Sequence, residues 1–298
     1  MQIFDSHSHY LPVKFRENVS FYPPVWSDLG KLIDFMDKNE IKKSLILYPT
    51  TDAAKKLGDV NEAKIYNDEL SCDLEKYKDK LVPAFILPQT SRHSLLEETK
   101  RAVHELGLKV LSISSSYKSR YLDDEFYFEL YEFLSQNNIP IFVHSQTQMP
   151  LGSERFFDPL LTPVMQYLFD LSACMGKLIM AGIGNKFPNL KFVFAHFAGV
   201  IPFLAKRFDT TYSMLRGINV VKDLGQVPTS ILKKFYVDTS GVSSINVINC
   251  AIEVFSKDNI LWGSDWPANK DAIESISLVK NLNFSDSILR DNFKRIIN

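Results

Sequence analysis

The sequence predicts an α/β protein built as one (β/α)8 TIM barrel, and three observations carry that reading. Short runs rich in β-branched and aromatic residues alternate with longer amphipathic segments about eight times along the chain. The length of 298 residues suits a single barrel, which uses roughly 250 residues. No GxGxxG follows the first run and no GxxxxGK[ST] occurs anywhere, which disfavours a doubly wound open sheet.

In chain order the predicted strands are Gln2–Phe4, Lys43–Leu47, Leu81–Leu87, Lys109–Ile113, Pro140–Val143, Lys191–Ala195, Phe235–Asp238 and Asn259–Trp262. Each is short and apolar, as a strand buried on both faces of a parallel sheet must be. The predicted helices between and after them are Leu29–Lys38, Ala54–Tyr77, Ser94–Leu106, Asp124–Gln136, Leu160–Lys186, Ile201–Leu215, Asn246–Ser256 and Asp271–Asn281. Segments of this length between strands make βαβ units and a parallel sheet. Ser285–Ile297 reads as an extra C-terminal helix beyond the repeat. Pro23–Pro24, Pro49 and Pro159–Pro163 punctuate strand–helix joints, and no Pro-rich or Gly/Ser-rich spacer divides the chain, so residues 1–298 read as a single domain.

Composition narrows the function classes. Apolar residues make up 45% and charged residues 23%, an ordinary globular balance. With 34 basic against 35 acidic residues the net charge is -1, from which neither a nucleic-acid partner nor an acidic tail follows. Cys72, Cys174 and Cys250 lie far apart without CxxC spacing, which points to a reducing compartment and away from a cysteine-built metal site. The N-terminal residues show no basic segment followed by an apolar one. The most apolar region, Leu160–Ile183, is interrupted by Gln166, Asp170 and Lys177 and falls short of the roughly 18 apolar residues of a spanning helix. The expected location is cytoplasmic, with no membrane partner.

The six histidines are few, and four stand at predicted strand ends, the side where barrel loops build active sites. His7 and His9 close the first strand in Asp5-Ser6-His7-Ser8-His9, and i, i+2 spacing on a strand aims both imidazoles to one face. His144 ends the fifth strand, His196 the sixth, and Asp265 follows the eighth in Gly263-Ser264-Asp265-Trp266-Pro267. Each alone has an ordinary explanation: a turn residue, a hydrogen-bonded core histidine, a helix N-cap. Together they place imidazoles and a carboxylate on one rim, the donor set of a dication such as Zn2+. His93 and His104 lie in a charged helical segment and read as solvated.

These residues resemble the amidohydrolase superfamily, in its amidohydrolase-related branch that includes aminocarboxymuconate-semialdehyde decarboxylase. The likeness covers nearly the whole chain. It opens on Asp5-Ser6-His7-Ser8-His9-Tyr10-Leu11-Pro12, like the branch's D-x-H-x-H-x-L-P start, and continues through Phe35-Met36-Asp37-Lys38-Asn39 and Ile141-Phe142-Val143-His144. Its densest stretch is Gly182–Arg207, followed by Phe235-Tyr236-Val237-Asp238-Thr239 and Gly263–Pro267. The resemblance implies one divalent metal ion, Zn2+ by donor type, held by His7, His9, His144 and Asp265 with water completing the shell. It places His196 beside that water as the acid–base group, with Asp265 also in a catalytic role. Binuclear relatives carry a lysine or glutamate after the fourth strand, where this chain reads Ser112-Ile113-Ser114-Ser115-Ser116.

The implied activity is non-oxidative decarboxylation of a small unsaturated or aromatic carboxylic acid. The alternative is hydrolysis of a lactone or amide by the same residues, and a barrel kept only for binding is a third reading. Zn2+ lowers the pKa of bound water from 15.7 to about 7, which serves either reaction. Arg207 falls where the decarboxylase's arginine reaches a neighbouring subunit's substrate, so the resemblance assigns it to substrate binding and implies a homodimer. The first βα loop, Tyr10 to about Ser27, is shorter than in that enzyme and lacks its other carboxylate-binding arginine, for which Arg16, Arg120 and Arg155 are candidate replacements. Phe197-Ala198-Gly199 replaces the successive glycines frequent in relatives. Asp5 is a candidate to orient a ligand imidazole, or else a carboxylate bonded to backbone. Tyr10, Tyr22, Trp26 and Trp266 are candidate rim aromatics.

Overall fold

A strand that is apolar on both faces has to be covered on both, and here every predicted run is covered by helices outside and side chains inside. The computed structural model describes residues 2–16, 22–49, 59–118, 120–241 and 244–297. Among the described residues eight parallel strands, Ile3–His9, Ile41–Leu47, Leu81–Pro83, Leu111–Ser114, Ile141–His144, Phe192–Phe194, Tyr236–Asp238 and Ile260–Leu261, follow one another in spatial order. The first three pair consecutively, as do the last five. Two bridges join the groups: Phe85 with Leu111, and Ser8 with Trp266. Backbone bonds complete both seams, from Phe85 N to Val110 O (2.9 Å) and Ser112 N to Phe85 O (2.8 Å), and from Asp265 N to His7 O and His9 N to Trp266 O (both 2.8 Å). The barrel is therefore closed.

One main helix follows each strand: Leu29–Lys38, Val60–Leu74, Arg92–His104, Phe128–Gln136, Tyr167–Ala181, Ile201–Gly217, Ile245–Phe255 and Ile273–Lys280. Local chemistry sets their starts. Asp28 accepts a bond from Lys31 N, and Ser91 with Ser94 forms a reciprocal capping box. Residues 54–58 of the second predicted helix lie outside the described residues. The long predicted helix Leu160–Lys186 is divided into a π-helical turn, Thr162–Gln166, the helix Tyr167–Ala181 and a short Ile183–Lys186. Gly182, at φ 72°, supplies the left-handed residue that ends the main helix. A two-stranded antiparallel hairpin, Ser116–Tyr117 with Arg120–Tyr121, follows the fourth strand and was not legible as strands.

Inside the barrel an apolar layer is formed by Phe4, Leu45, Leu47, Ala84, Val110, Phe142, Val193 and Leu261. The polar rim stands on it by strand alternation: Phe142 is two residues before His144, and Leu261 two before Gly263. The first strand needs a correction to the same rule. Asp5 faces Ser44 but Ser8 faces Ile46, so three steps on one strand match two on the other. This β-bulge resets the alternation, letting Phe4 and His7, an odd number of residues apart, both face the interior.

The C-terminal segment is part of this core. A π-helical turn, Ser287–Asp291, runs into Asn292–Ile296, and Phe293 and Ile296 close the interior layer at the end where the strands begin. The Phe293 ring meets Phe4 edge-on at 5.3 Å, and Asn292 Nδ2 donates to Ile260 O at 2.7 Å. Phe293→Ala should lower the unfolding free energy by about 3–5 kcal/mol, read from denaturant midpoints, as removal of a buried ring with a residual cavity does. A loss below about 1 kcal/mol would show that this segment only rests on the barrel.

Candidate metal centre

The four rim histidines and Asp265 meet at the end of the barrel where the strands finish. His7, His9 and Asp265 have ligand atoms within 4.8 Å of one another, as do His7, His144 and His196. The rings of His7, His9 and His144 lie 4.8–5.2 Å apart by centroid, and His196 lies 5.3 Å from His7 and 5.8 Å from His144. His7, His9 and His144 are buried. His93 and His104 are exposed, as predicted.

Each imidazole is fixed through its outer nitrogen. His7 Nδ1 donates to Asp238 Oδ2 at 2.8 Å. His9 Nδ1 donates to the Leu47 carbonyl, His144 Nδ1 to the Ser145 carbonyl and His196 Nδ1 to the Ser240 carbonyl, all at 3.1 Å. A carbonyl only accepts, so these three contacts assign the proton of His9, His144 and His196 to Nδ1 and leave the lone pair on Nε2. Such outer partners orient a metal-binding histidine and raise its basicity.

The inner atoms are the test of fit for a metal. His9 Nε2 stands 3.1 Å from His7 Nε2 and 3.2 Å from Asp265 Oδ1, and His7 Nε2 is 3.6 Å from the same oxygen. Three electron-rich atoms thus converge in a buried site, an arrangement that demands either a shared proton or a cation. Imidazole nitrogen with carboxylate oxygen suits a divalent transition ion. The donor set fits.

Charge follows the same geometry. Burial alone would lower His7, but the carboxylates of Asp238, Asp265 and Asp5 raise it to about 9. Burial and the neighbouring imidazoles push His144 well below its ordinary value, and His9 is lowered chiefly by burial. Asp265 is held well below the usual carboxylate range: His9, His7 and His196 overcome the opposing effect of burial. Without metal at neutral pH, the shared proton therefore resides on His7.

Asp238 is the residue the sequence reading missed. Lying in the quoted Phe235–Thr239 motif, it was given no role, although it ends the seventh strand as His144 ends the fifth. Besides His7 it accepts from His196 N at 3.0 Å and from Ser240 N at 3.0 Å. Asp5 takes the other role considered for it. Its carboxylate accepts from His7 N (3.0 Å), Ser264 N (2.9 Å) and Ser264 Oγ (2.6 Å), and burial raises it to about 6. The bulge has turned it away from the imidazoles.

Backbone at the rim is specialised. His196, Phe197 and Ala198 have φ of 51°, 54° and 58°, a left-handed stretch that costs about 1–3 kcal/mol per residue. Asp238 holds it at the His196 end, while Ser172 Oγ, bonded to Ala198 O (3.1 Å) and accepting from Val200 N (2.9 Å), holds the other. Gly199 continues the turn, where a side chain would drive into the Leu168 carbonyl. Phe197 is buried in the main core. Gly263 is required by space: a Cβ there would lie 2.7 Å from His7 Cβ.

The remaining candidates are placed less centrally. Trp26 stacks on His9 with centroids 5.5 Å apart, and Tyr22 packs edge-on against Trp26 at 4.5 Å. Tyr10 OH donates to Asp73 at 2.8 Å, and Trp266 is buried beside Phe35. Arg207 is exposed on the helix Ile201–Gly217. Asp209, considered as its partner, accepts instead from Thr229 N at 2.9 Å. Arg155 is exposed beside Glu154, and Arg120 stacks on Phe126 at 3.9 Å. The Arg16 side chain lies outside the described residues.

A family model described as Amidohydrolase matches residues 4–291. The 2-amino-3-carboxymuconate-6-semialdehyde decarboxylase of Dictyostelium discoideum is 25% identical over 210 residues, 69% of this chain but only 56% of that protein. The gamma-resorcylate decarboxylase of Polaromonas sp. is 24% identical over 263 residues, 81% of this chain and 80% of that one. Among solved structures, 5-carboxyvanillate decarboxylase from Novosphingobium aromaticivorans, complexed with manganese and 4-hydroxy-3-methoxy-5-nitrobenzoic acid, superposes with a TM-score of 0.85. It shares 20% identity, and the match covers 99% of this chain and 95% of that one. This likeness shows the barrel fold.

Metal binding has to displace the His7 proton. Because the folded value, about 9, lies above the ordinary 6.5, binding at pH 7 should release about one proton, falling towards none as the pH rises past 9. Calorimetric titration with Mn2+ in buffers of different ionisation enthalpy measures this; release near zero at pH 7 would contradict the assigned charge state.

Proposed function

The chain belongs to the amidohydrolase family, and on that premise we propose that it is a mononuclear metal-dependent carboxy-lyase acting on a small aromatic or unsaturated carboxylic acid. The observation that carries this reading is that His7 shares ligand-atom reach, within 4.8 Å, with His9 and Asp265 on one side and with His144 and His196 on the other; we read His7, His9, His144 and Asp265 as the ligands and His196 as the group beside them. We read residues 1–298 as one catalytic unit. Zn2+ is the ion expected from the donor types, and Mn2+, found in the superposed decarboxylase, suits the same nitrogen and oxygen donors.

A divalent cation bound there would supply positive charge to polarise substrate oxygen and stabilise charge left on the substrate. Decarboxylation exchanges a C–COO⁻ bond for a C–H bond, releasing carbon dioxide and consuming one proton at carbon. His196 is assigned to that proton. With Nδ1 held by Ser240, its Nε2 is the nitrogen left to face substrate. Asp238 fixes both ends of the arrangement, bonding His7 with one oxygen and His196 N with the other. Trp26, stacked on His9, walls the site on the side of the first loop. The decarboxylase reading is preferred to lactone or amide hydrolysis because the relatives above are named decarboxylases.

Arg207 is read as a substrate-carboxylate residue supplied to a neighbouring subunit in a homodimer. Phe203, one turn before it, and Met214, two turns after it on the same stripe, are 84% and 61% exposed. Exposed apolar side chains flanking a cation suit a face covered by a second copy. No helix among the described residues is long and apolar enough to cross a membrane, and the three cysteines are free thiols, which fits a cytoplasmic location.

A screen of aromatic and unsaturated carboxylic acids with carbon dioxide detection tests the reaction. Turnover of lactones or amides without carbon loss would favour hydrolysis. On any substrate found, His196→Ala should keep its metal and lose activity by roughly 10²–10⁴. Normal turnover by that variant would remove His196 from the mechanism.

For Arg207, complementation separates the readings. His196→Ala and Arg207→Ala proteins, each inactive, should regain about a quarter of wild-type activity when their subunits are mixed, since one site in each mixed dimer is complete. No recovery by mixed dimers would overturn action across the interface.

A further inference from the structure

Ser115 and Asp170 have no part in the chemistry above, yet hydrogen bonds connect them to it. Asp170, in the helix Tyr167–Ala181, is 1% exposed. Four neutral donors converge on its carboxylate: the Ser115 hydroxyl, Ser116 Oγ at 3.1 Å, Tyr121 OH at 2.9 Å and Leu151 N at 3.1 Å. A buried carboxylate needs such partners, so the cluster satisfies a structural requirement. Ser115 does more than satisfy it.

Ser115 follows the fourth strand, alongside the end of the fifth. Its N–H donates to the His144 carbonyl at 2.8 Å, and its Oγ accepts from Gln146 N at 2.9 Å. One residue thus grips the main chain at two successive peptides, on both sides of Ser145. A hydroxyl has one proton and two lone pairs. Asp170 takes the proton, which fixes the rotor and directs a lone pair at Gln146 N–H. Through Leu151 N the same carboxylate pins the following loop a second time.

We propose that Ser115, oriented by Asp170, is a positioning residue that sets the place of the His144 imidazole. The regular strand stops at His144, where pairing alone no longer fixes the backbone. Ser116 and Tyr121 bond the same carboxylate, and their side chains do not hold the main chain around Ser145. This inference rests on the reading of His144 as a metal ligand.

The test compares Mn2+ affinity in the full chain, read from the free-ion electron paramagnetic resonance signal, with the visible d–d spectrum after Co2+ loading. His144→Ala sets the reference; if it leaves Mn2+ binding unchanged, the ligand reading fails first. Given that loss, Ser115→Ala should weaken Mn2+ by about 10–100-fold and shift the Co2+ bands, while Ser116→Ala and Tyr121→Phe stay within about twofold of wild type. Equal losses in Ser115→Ala and Ser116→Ala would mean general loosening of the cluster and overturn the proposal, as would wild-type binding by Ser115→Ala. Should Ser115→Ala not fold, Ser115→Cys, which keeps the shape but weakens the hydrogen bonds, carries the same comparison.

Discussion

His7 is held between opposing demands, and much of the rim is arranged around that fact. Its Nδ1 is bonded to the buried Asp238 carboxylate, while its Nε2 faces the nitrogen of His9 at 3.1 Å and the Asp265 carboxylate at 3.6 Å. A buried carboxylate facing buried imidazoles is stable only if the protonation states are complementary, because the low-dielectric interior magnifies both attraction and mismatch. Asp238 therefore acts beyond its own contact. By fixing which nitrogen of His7 carries the outer proton, it fixes which nitrogen enters the site, and its second oxygen steadies the His196 turn.

Several departures from regular backbone follow from placing His7 there. Without the bulge between Asp5 and Ser8, either Phe4 would leave the interior layer or His7 would leave the rim. Gly263 must lack a side chain because the eighth strand passes directly against His7. The left-handed run at His196–Ala198 turns the chain sharply at the end of the sixth strand, with strain offset by bonds from Asp238 and Ser172. Irregular backbone beside a functional cluster is where sequence rules are expected to fail.

What could be read from the sequence follows from which signals are periodic. Eight apolar runs separated by amphipathic helices identify strands whatever their exact ends, so the barrel was legible, as were the rim histidines and Asp265. Asp238 obeys the same strand-end rule, but without a partner visible in sequence it looked like an ordinary strand terminus. For Asp5 the sequence left two roles open, orienting an imidazole or bonding backbone, because strict alternation cannot be carried across a bulge that nothing in Asp5-Ser6-His7 announces. Ser115 and Asp170 lie 55 residues apart, and a serine-rich strand end next to a helix aspartate carries no periodic signal. The C-terminal helix was legible as a helix, whereas its closing of the barrel through Phe293 depends on contacts with Phe4 at the other end of the chain.

Charge balance argues for a dication rather than for any cation. Asp238 and Asp265 both remain ionised, held there by the imidazoles around them. With His7 protonated, these two carboxylates, the Asp5 carboxylate, mostly ionised above about pH 6, and one imidazolium leave the cluster two negative charges in excess. Exchanging that proton for a divalent ion restores neutral His7 and halves that excess. A monovalent ion would merely replace the proton, gaining no charge while giving up the N–H. Two divalent ions would overshoot, and the fourth-strand end, Ser112–Ser116, offers no carboxylate to correct it. The proton on His7 thus stands in the place of part of the missing positive charge, and a single dication is the exchange that the site favours.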